Sequence, residues 1–249
     1  MPYVVEVATK EDIPALVQTT YEAFTNPFYK IFYVFFPHSC QSGTENELKE
    51  YNEAGGEIVW NKVYDSDDPE KAIVGGAKWY FYQRSPHEPR PGQEQTFIHP
   101  KDREADWYSK GSVAREFSNQ VLQQHNAPRI QWTEGQPHCY LHLAFTASEH
   151  RRKGVASKYL QWGVDKADEL GLESYLEAST LGAPAYRKFG FIDGPIVKAE
   201  PKMPEDYTDE QKAEWEELAK SQLPSASLLM WRPVKGEFVE GKTVPPWSR

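Results

Sequence analysis

Cysteine is scarce: only Cys40 and Cys139 occur in 249 residues. Two lone thiols build no disulfide framework, and no CxxC spacing offers a metal or redox pair. No metal site is therefore expected. Long apolar runs are missing too, and nothing approaches the roughly 20 residues of a membrane span. The N-terminus, MPYVVEVATKED, has no basic segment leading into an apolar one, so it does not read as a secretory signal. A reducing, cytoplasmic setting is the expectation, with the nucleus left open. Basic charge is also in deficit. The net charge of −9 argues against nucleic acid as a partner, because phosphate neutralisation needs a basic face. No membrane partner is expected, and oligomeric state is not legible. The chain has no internal repeat. Its one basic glycine turn is neither the GxGxxG of a dinucleotide fold nor a GxxxxGK[ST] phosphate loop.

Aromatic side chains are plentiful, with eight Trp and fourteen Tyr. The length suits one domain with insertions, spanning 1–249. Residues 3–8 are β-prone. Asp12 caps a helix with Pro14 in its first turn, and Ile13, Leu16, Val17, Thr20 and Phe24 keep helical spacing up to Pro27. The segment 28–36 is unusually aromatic and lies between Pro27 and Pro37. It reads either as a buried loop or short helix, or as a wall of a substrate pocket. Residues 46–51 suit a helix. Residues 57–64 and 72–82 read as a hairpin around an acidic turn, and Gly75-Gly76 marks a bulge or a close backbone approach. Residues 84–137 form an insertion, with one or two helices that Asn126-Ala127-Pro128 ends. From about 200 to 249 come a charged helix, a strand at 226–231 and a tail.

The informative stretch runs from His138 to Phe191. HCYLHLAFT alternates, which places Tyr140, His142, Ala144 and Thr146 on one face and Cys139, Leu141, Leu143 and Phe145 on the other. Both faces are mostly apolar, as in a central strand covered on both sides. Arg151-Arg152-Lys153-Gly154-Val155-Ala156 then turns into a helix. Its core stripe comprises Val155, Ala156, Tyr159, Leu160, Val164, Ala167 and Leu170, and Gly171 stops it. A strand, a short helix and Phe191 follow. A strand that turns directly into a helix presents unpaired backbone amides at the positive end of the helix dipole, which suits an anion.

The whole stretch resembles the GNAT superfamily of N-acetyltransferases. Arg151, Gly154 and Ala156 fill the three defined places of the family's Gln/Arg-x-x-Gly-x-Gly/Ala turn. Tyr186, four residues ahead of Gly190-Phe191, fills its second mark. The resemblance implies an α/β (α+β) fold with a mixed, mostly antiparallel sheet. Helices would cover both faces, and a central parallel strand pair would splay apart. It implies acetyl-CoA as cosubstrate. The amides of Arg152, Lys153, Gly154, Val155, Ala156 and Ser157 would cradle the pyrophosphate, with the Arg151, Arg152 and Lys153 side chains adding charge. Phe145 and Thr146 would flank the pantetheine arm. Tyr186 would protonate or hydrogen-bond the departing sulfur. His142 is the candidate base for the amine, because its titration range suits the task; Glu177 and His138 are alternatives. Two departures stand out. Many family members carry Asn where this chain has Ser179, and often Ala where it has Gly182, so the cofactor contact expected of Ser179 is in question.

The expected reaction is acetyl transfer to a primary amine of a small molecule by direct attack in a ternary complex. Phe28, Phe32 and Tyr140 are the candidate acceptor-binding rings. Acetylation of a protein or peptide amine is an alternative, and so is a non-catalytic acyl-CoA sensor of the same fold. An acyl-enzyme on Cys139 is disfavoured, because Cys139 and His142, three apart on a strand, face opposite ways.

Overall fold

The structure is a computed structural model, and it describes residues 2–26, 29, 32–53, 56–85 and 104–249. Seven strands form one sheet in the order β1-β2-β3-β4-β5-β7-β6. They are β1 (Tyr3–Val7), β2 (Ile58–Asp65), β3 (Ile73–Tyr82), β4 (His138–Thr146), β5 (Ser174–Ala178), β6 (Ile192–Lys198) and β7 (Ala226–Arg232). Every neighbouring pair is antiparallel except β4–β5. That parallel pair matches only Cys139 with Ser174 and Tyr140 with Tyr175. Beyond Tyr140 the strands part and form a fork, as the family resemblance implied.

Helix α5 (Val155–Glu169) covers one face of β1–β4, and the short α6 (Ala183–Arg187) packs beside it. On the other face lie α1 (Ile13–Thr25), the four-residue α2 (Phe32–Phe35), α3 (Cys40–Glu53), α4 (Val113–Thr133) and α7 (Asp209–Gln222). The central strands β2–β5 are therefore buried on both sides. The α5 face is filled by Trp79, Leu141, Leu160, Val164 and Leu176, and the α1 face by Leu16, Trp60, Tyr80 and Leu143. Each such fully buried aliphatic side chain contributes about 1.5–3 kcal/mol.

Side-chain bonds account for several boundaries. The acidic hairpin turn is held by its own carboxylates, since Asp65 accepts from the Asp67 amide and Asp68 from those of Glu70 and Ala72. Gly75 and Gly76 provide close approach: a Cβ at Gly75 would stand 2.6 Å from Val155 Cγ1 and 2.9 Å from the Phe145 carbonyl oxygen. The start of α5 thereby sits directly on β3.

Two expectations are corrected here. Alternation along β4 breaks at His142, because Trp79 pairs with Leu141 and the preceding Lys78 with Leu143. His142 is the extra residue of a β-bulge, which reverses the faces beyond it. Tyr140, Leu143 and Phe145 pack toward α1, whereas Cys139, Leu141 and Ala144 pack toward α5. The second correction concerns Pro128, which does not end its helix: α4 runs on to Thr133. Buried residues on both sides of the proline, Leu122, His125, Asn126, Arg129 and Thr133, outweigh the roughly 3 kcal/mol a helical proline costs. The later half of the insertion is thus core structure, with Phe117 against Trp215 of α7. The C-terminal tail docks through Trp247, whose ring meets Trp132 and Trp231.

Candidate active site

The turn between β4 and α5 is built on unusual backbone. Arg152 has φ 61° and Gly154 φ 94°, both left-handed. Such a φ is cheap for glycine, and nothing lies within 4 Å of where a Gly154 Cβ would stand. Gly154 is the N-cap of α5 and offers no side-chain cap. The amides of Val155, Ala156 and Ser157 open the helix and have no intrahelical acceptor. A ring of N–H donors therefore points outward at the positive end of a fifteen-residue helix. Arg152, Lys153, Gly154 and Ser157 are exposed, Ala156 is half-buried and Val155 is buried against β3.

Arg151 behaves differently from its neighbours. Its Nε donates to the Thr146 carbonyl at 3.2 Å and its Nη2 to the Ala23 carbonyl at 2.5 Å. The guanidinium is thereby engaged in tying the turn to the end of β4 and to the last turn of α1.

The fork opens beside this turn. Residues 141–146 of β4 have no β5 partner, so backbone groups around Phe145 and Thr146 face the gap. Phe145's ring is buried against Trp60. Thr146 Oγ1 lies 3.4 Å from the Tyr159 hydroxyl of α5. Across the gap, Ser179 Oγ accepts from the Gly182 amide at 3.1 Å and so begins α6.

Helix α6 carries Tyr186, whose ring meets Phe191 edge-on with centroids 6.1 Å apart. Among the described residues its hydroxyl has no hydrogen-bond partner. Burial raises the phenol well above its ordinary value of 10, and the Tyr159 and Tyr29 phenols push in the same direction. Burial also raises Tyr159, to about 12. Both therefore keep their protons throughout the neutral range.

His142 sits in the bulge, half-buried. Its Nδ1 is 3.5 Å from the Tyr140 hydroxyl, and its ring meets Tyr80 edge-on at 5.4 Å. It lies on the Tyr140 side, the face that alternation gives it. Tyr140 is 6% exposed, so it is a supporting wall rather than an open face. Phe32 is 2% exposed, stacked on Phe24 and Phe36 and met edge-on by Tyr21. It is a core ring, and its expected place in an acceptor pocket is not carried forward. Phe28 lies outside the described residues. Cys139 is fully buried on the α5 side, and burial raises its thiol pKa strongly. It cannot meet His142, and no acyl-enzyme pair forms.

Sequence reasoning missed three groups. Tyr159 was read only as part of a core stripe, yet its hydroxyl reaches the fork. Lys78 is fully buried on β3, where its Nζ meets Glu47 and Glu50 of α3 at 2.5 Å each, and Tyr80 donates to Glu50 at 2.5 Å. Arg129 of α4 pairs with Glu177 of β5 at 3.0 Å. Glu177 is thus held in an ion pair with Arg129. The alternation of IVGGAKWYFY could have exposed Lys78 as an inward cation, but Arg129 gave no signal once Pro128 was read as a helix end.

A family model described as the acetyltransferase (GNAT) family matches residues 25–191. The chain belongs to this family. It is an acetyltransferase, and acetyl-CoA is its cosubstrate. Solved structures agree on the fold. A structure described as histone acetyltransferase HPA2 and related acetyltransferase from Corynebacterium glutamicum is 23% identical, covers 96% of this chain and 99% of its own, and superposes with a TM-score of 0.51. The phosphinothricin acetyltransferase of Sinorhizobium meliloti, solved with AcCoA, is 14% identical over 97% of this chain and 95% of its own, also with a TM-score of 0.51. The protein smu.2055 of Streptococcus mutans is 10% identical over 93% and 99%, with the same score. No curated protein matches the sequence. Among the described residues of this acetyltransferase, no helix is long and apolar enough to cross a membrane.

Proposed function

We propose that this acetyltransferase moves the acetyl group from acetyl-CoA to a primary amine of a small molecule by direct attack, with both substrates bound together. The observation that carries this reading is the Tyr186 hydroxyl: protonated, without a partner among the described residues, and close to the fork beside the outward amides of α5. Those amides, from Arg152 to Ser157, suit the pyrophosphate, and the exposed Arg152 and Lys153 add charge nearby. The unpaired edge of β4 around Phe145 and Thr146 suits the amide groups of the pantetheine arm, and Ser179 borders the same gap.

In this reading His142 takes a proton from the incoming ammonium, directly or through water. The amine nitrogen then bonds to the acetyl carbon as the carbon–sulfur bond breaks, the new amide nitrogen sheds its second proton to solvent, and His142 releases the first to solvent afterwards. Tyr186 gives its proton to the departing sulfur and regains one from solvent. The rings around His142, Tyr80 and Tyr140, together with the net charge of −9, favour a cationic amine of modest size.

A panel of small amines and N-terminal peptides, assayed for CoA release, tests the proposal. Turnover of small amines is expected, with His142→Gln removing the acid limb of kcat/KM. Acetyl-CoA binding without turnover of any amine would sink the proposal, and turnover of peptides alone would reassign the acceptor.

A further inference from the structure

The β4–β5 ladder stops at Tyr140, so something other than backbone must hold the two prongs of the fork in register. The group found there is Arg129. Its guanidinium carbon lies 3.6 Å over the Tyr140 ring on β4. Its Nε donates to Glu177 Oε1 on β5 at 3.0 Å, and its Nη2 to Asn126 Oδ1 at 3.0 Å. One side chain from α4 therefore touches both prongs, at Tyr140 in their last backbone pair and at Glu177, two residues past its partner Tyr175.

Arg129 is 2% exposed and Glu177 is nearly buried. Burying such a pair gains little net stability, because desolvation offsets the attraction; well-packed apolar residues often serve as well. Stability alone thus gives weak reason for a charged pair at this place. What the guanidinium does supply is geometry. Lying 3.6 Å over the ring, it confines Tyr140 from one face, and the Tyr140 hydroxyl is the group 3.5 Å from His142 Nδ1. On the far side His142 meets Tyr80, itself bonded to Glu50. The bulged His142 is held between these two tyrosines.

We propose that Arg129 is a positioning residue of the acceptor side: with Glu177 it staples the open fork, and through Tyr140 it sets the orientation of His142. This rests on the acetyl-transfer reading above, although part of its test does not.

Two variants separate this role from simple packing. The paired replacement Arg129→Met with Glu177→Met removes the staple without leaving a buried charge alone. Arg129→Lys keeps the charge but loses the flat fork. Each is assayed by thermal melting, by calorimetric binding of acetyl-CoA, by steady-state kinetics with an amine the wild type turns over, and by NMR titration of the His142 imidazole. The expected result is folded protein with acetyl-CoA affinity within about twofold of wild type, kcat lowered about tenfold or more, and a displaced His142 titration. Unchanged kcat and unchanged titration in a folded variant would overturn the proposal. So would a loss of acetyl-CoA affinity in step with rate, which marks general damage. If the paired variant fails to fold, Arg129→Lys decides. If wild type acetylates no amine, the transfer reading fails, and the His142 titration still decides the role of Arg129.

Discussion

Gly182 gives Tyr186 its room. A methyl group at position 182 would stand 3.0 Å from Cε2 of the Tyr186 ring, 3.4 Å from its hydroxyl and 3.4 Å from Ser179 Oγ. Contacts of 3.0–3.4 Å oblige a neighbour to yield by a few tenths of an ångström, and here the neighbours are the candidate acid and the residue that begins its helix. Gly182→Ala is expected to lower kcat by about three- to tenfold through misplacement of the hydroxyl. The melting temperature should hold, since φ at 182 is −81° and suits alanine. Unaltered kcat in a crystallographically confirmed variant would show that the hydroxyl need not be so placed.

Tyr186→Phe removes the proton without emptying the ring's place against Phe191. A drop in kcat of about 10²–10⁴ is expected, the usual worth of a positioned acid. KM for acetyl-CoA should stay within about twofold. Because the phenol is raised above 10, wild type should show no alkaline limb from this group below about pH 10. A rate in Tyr186→Phe equal to wild type would remove Tyr186 from the reaction.

The anion turn includes the left-handed Gly154 as the cap of its helix. Gly154→Ala places a side chain at φ 94° and costs about 1 kcal/mol. If the strain shifts the amides of 155–157, the Kd for acetyl-CoA should rise about fivefold, with saturating kcat nearly unchanged. Calorimetry reads the first quantity and steady-state kinetics the second. An unchanged Kd would place the pyrophosphate elsewhere.

His125 should give the fold an acid-sensitive step. It is buried, with Nε2 2.8 Å from Ser225 Oγ, and burial lowers its pKa below 6.5, with the Glu177 charge opposing. A histidine with a depressed native pKa binds protons more readily in the unfolded chain. Stability therefore rises with pH between the native value and 6.5, and is lost as pH falls through that window. Melting temperature plotted against pH should slope less below pH 6.5 in His125→Gln than in wild type. Parallel slopes would assign the acid sensitivity to other groups.

How much of this was legible beforehand depended on how local each feature is. The hairpin, with its self-bonded aspartates, and the α5 stripe are written in neighbouring residues. The same holds for the turn: Arg151, Gly154 and Ala156 lie within six positions, and the left-handed φ of Gly154 is a local demand that glycine answers. Tyr186 is legible for a similar reason, because α6 and Gly190 bring its ring onto Phe191 within a few residues.

The tertiary structure decided what distant partners impose. Alternation predicts faces only while each residue has one partner across the ladder; β3 skips His142, so the bulge leaves His142 beside Tyr140 and turns Leu143 and Phe145 to that same side. Pro128 carries a strong local signal to stop, but Leu122, His125, Asn126, Arg129 and Thr133 around it are buried and the helix continues, which brings Arg129 over Tyr140. The aromatic 28–36 segment read first as core and second as a pocket wall, and the packing of Phe24, Tyr21 and Phe36 around Phe32 puts that ring in the core. By itself the sequence pointed to the cofactor class and to Tyr186 as the candidate acid, because the motifs that resemble the GNAT family are short-range and lie within a few residues of one another. The reversal of faces beyond His142 and the meeting of Arg129 with Tyr140 and Glu177 were decided by tertiary structure, because they depend on α4, β3 and β5 coming together, and the register and packing that do so are set by the whole sheet.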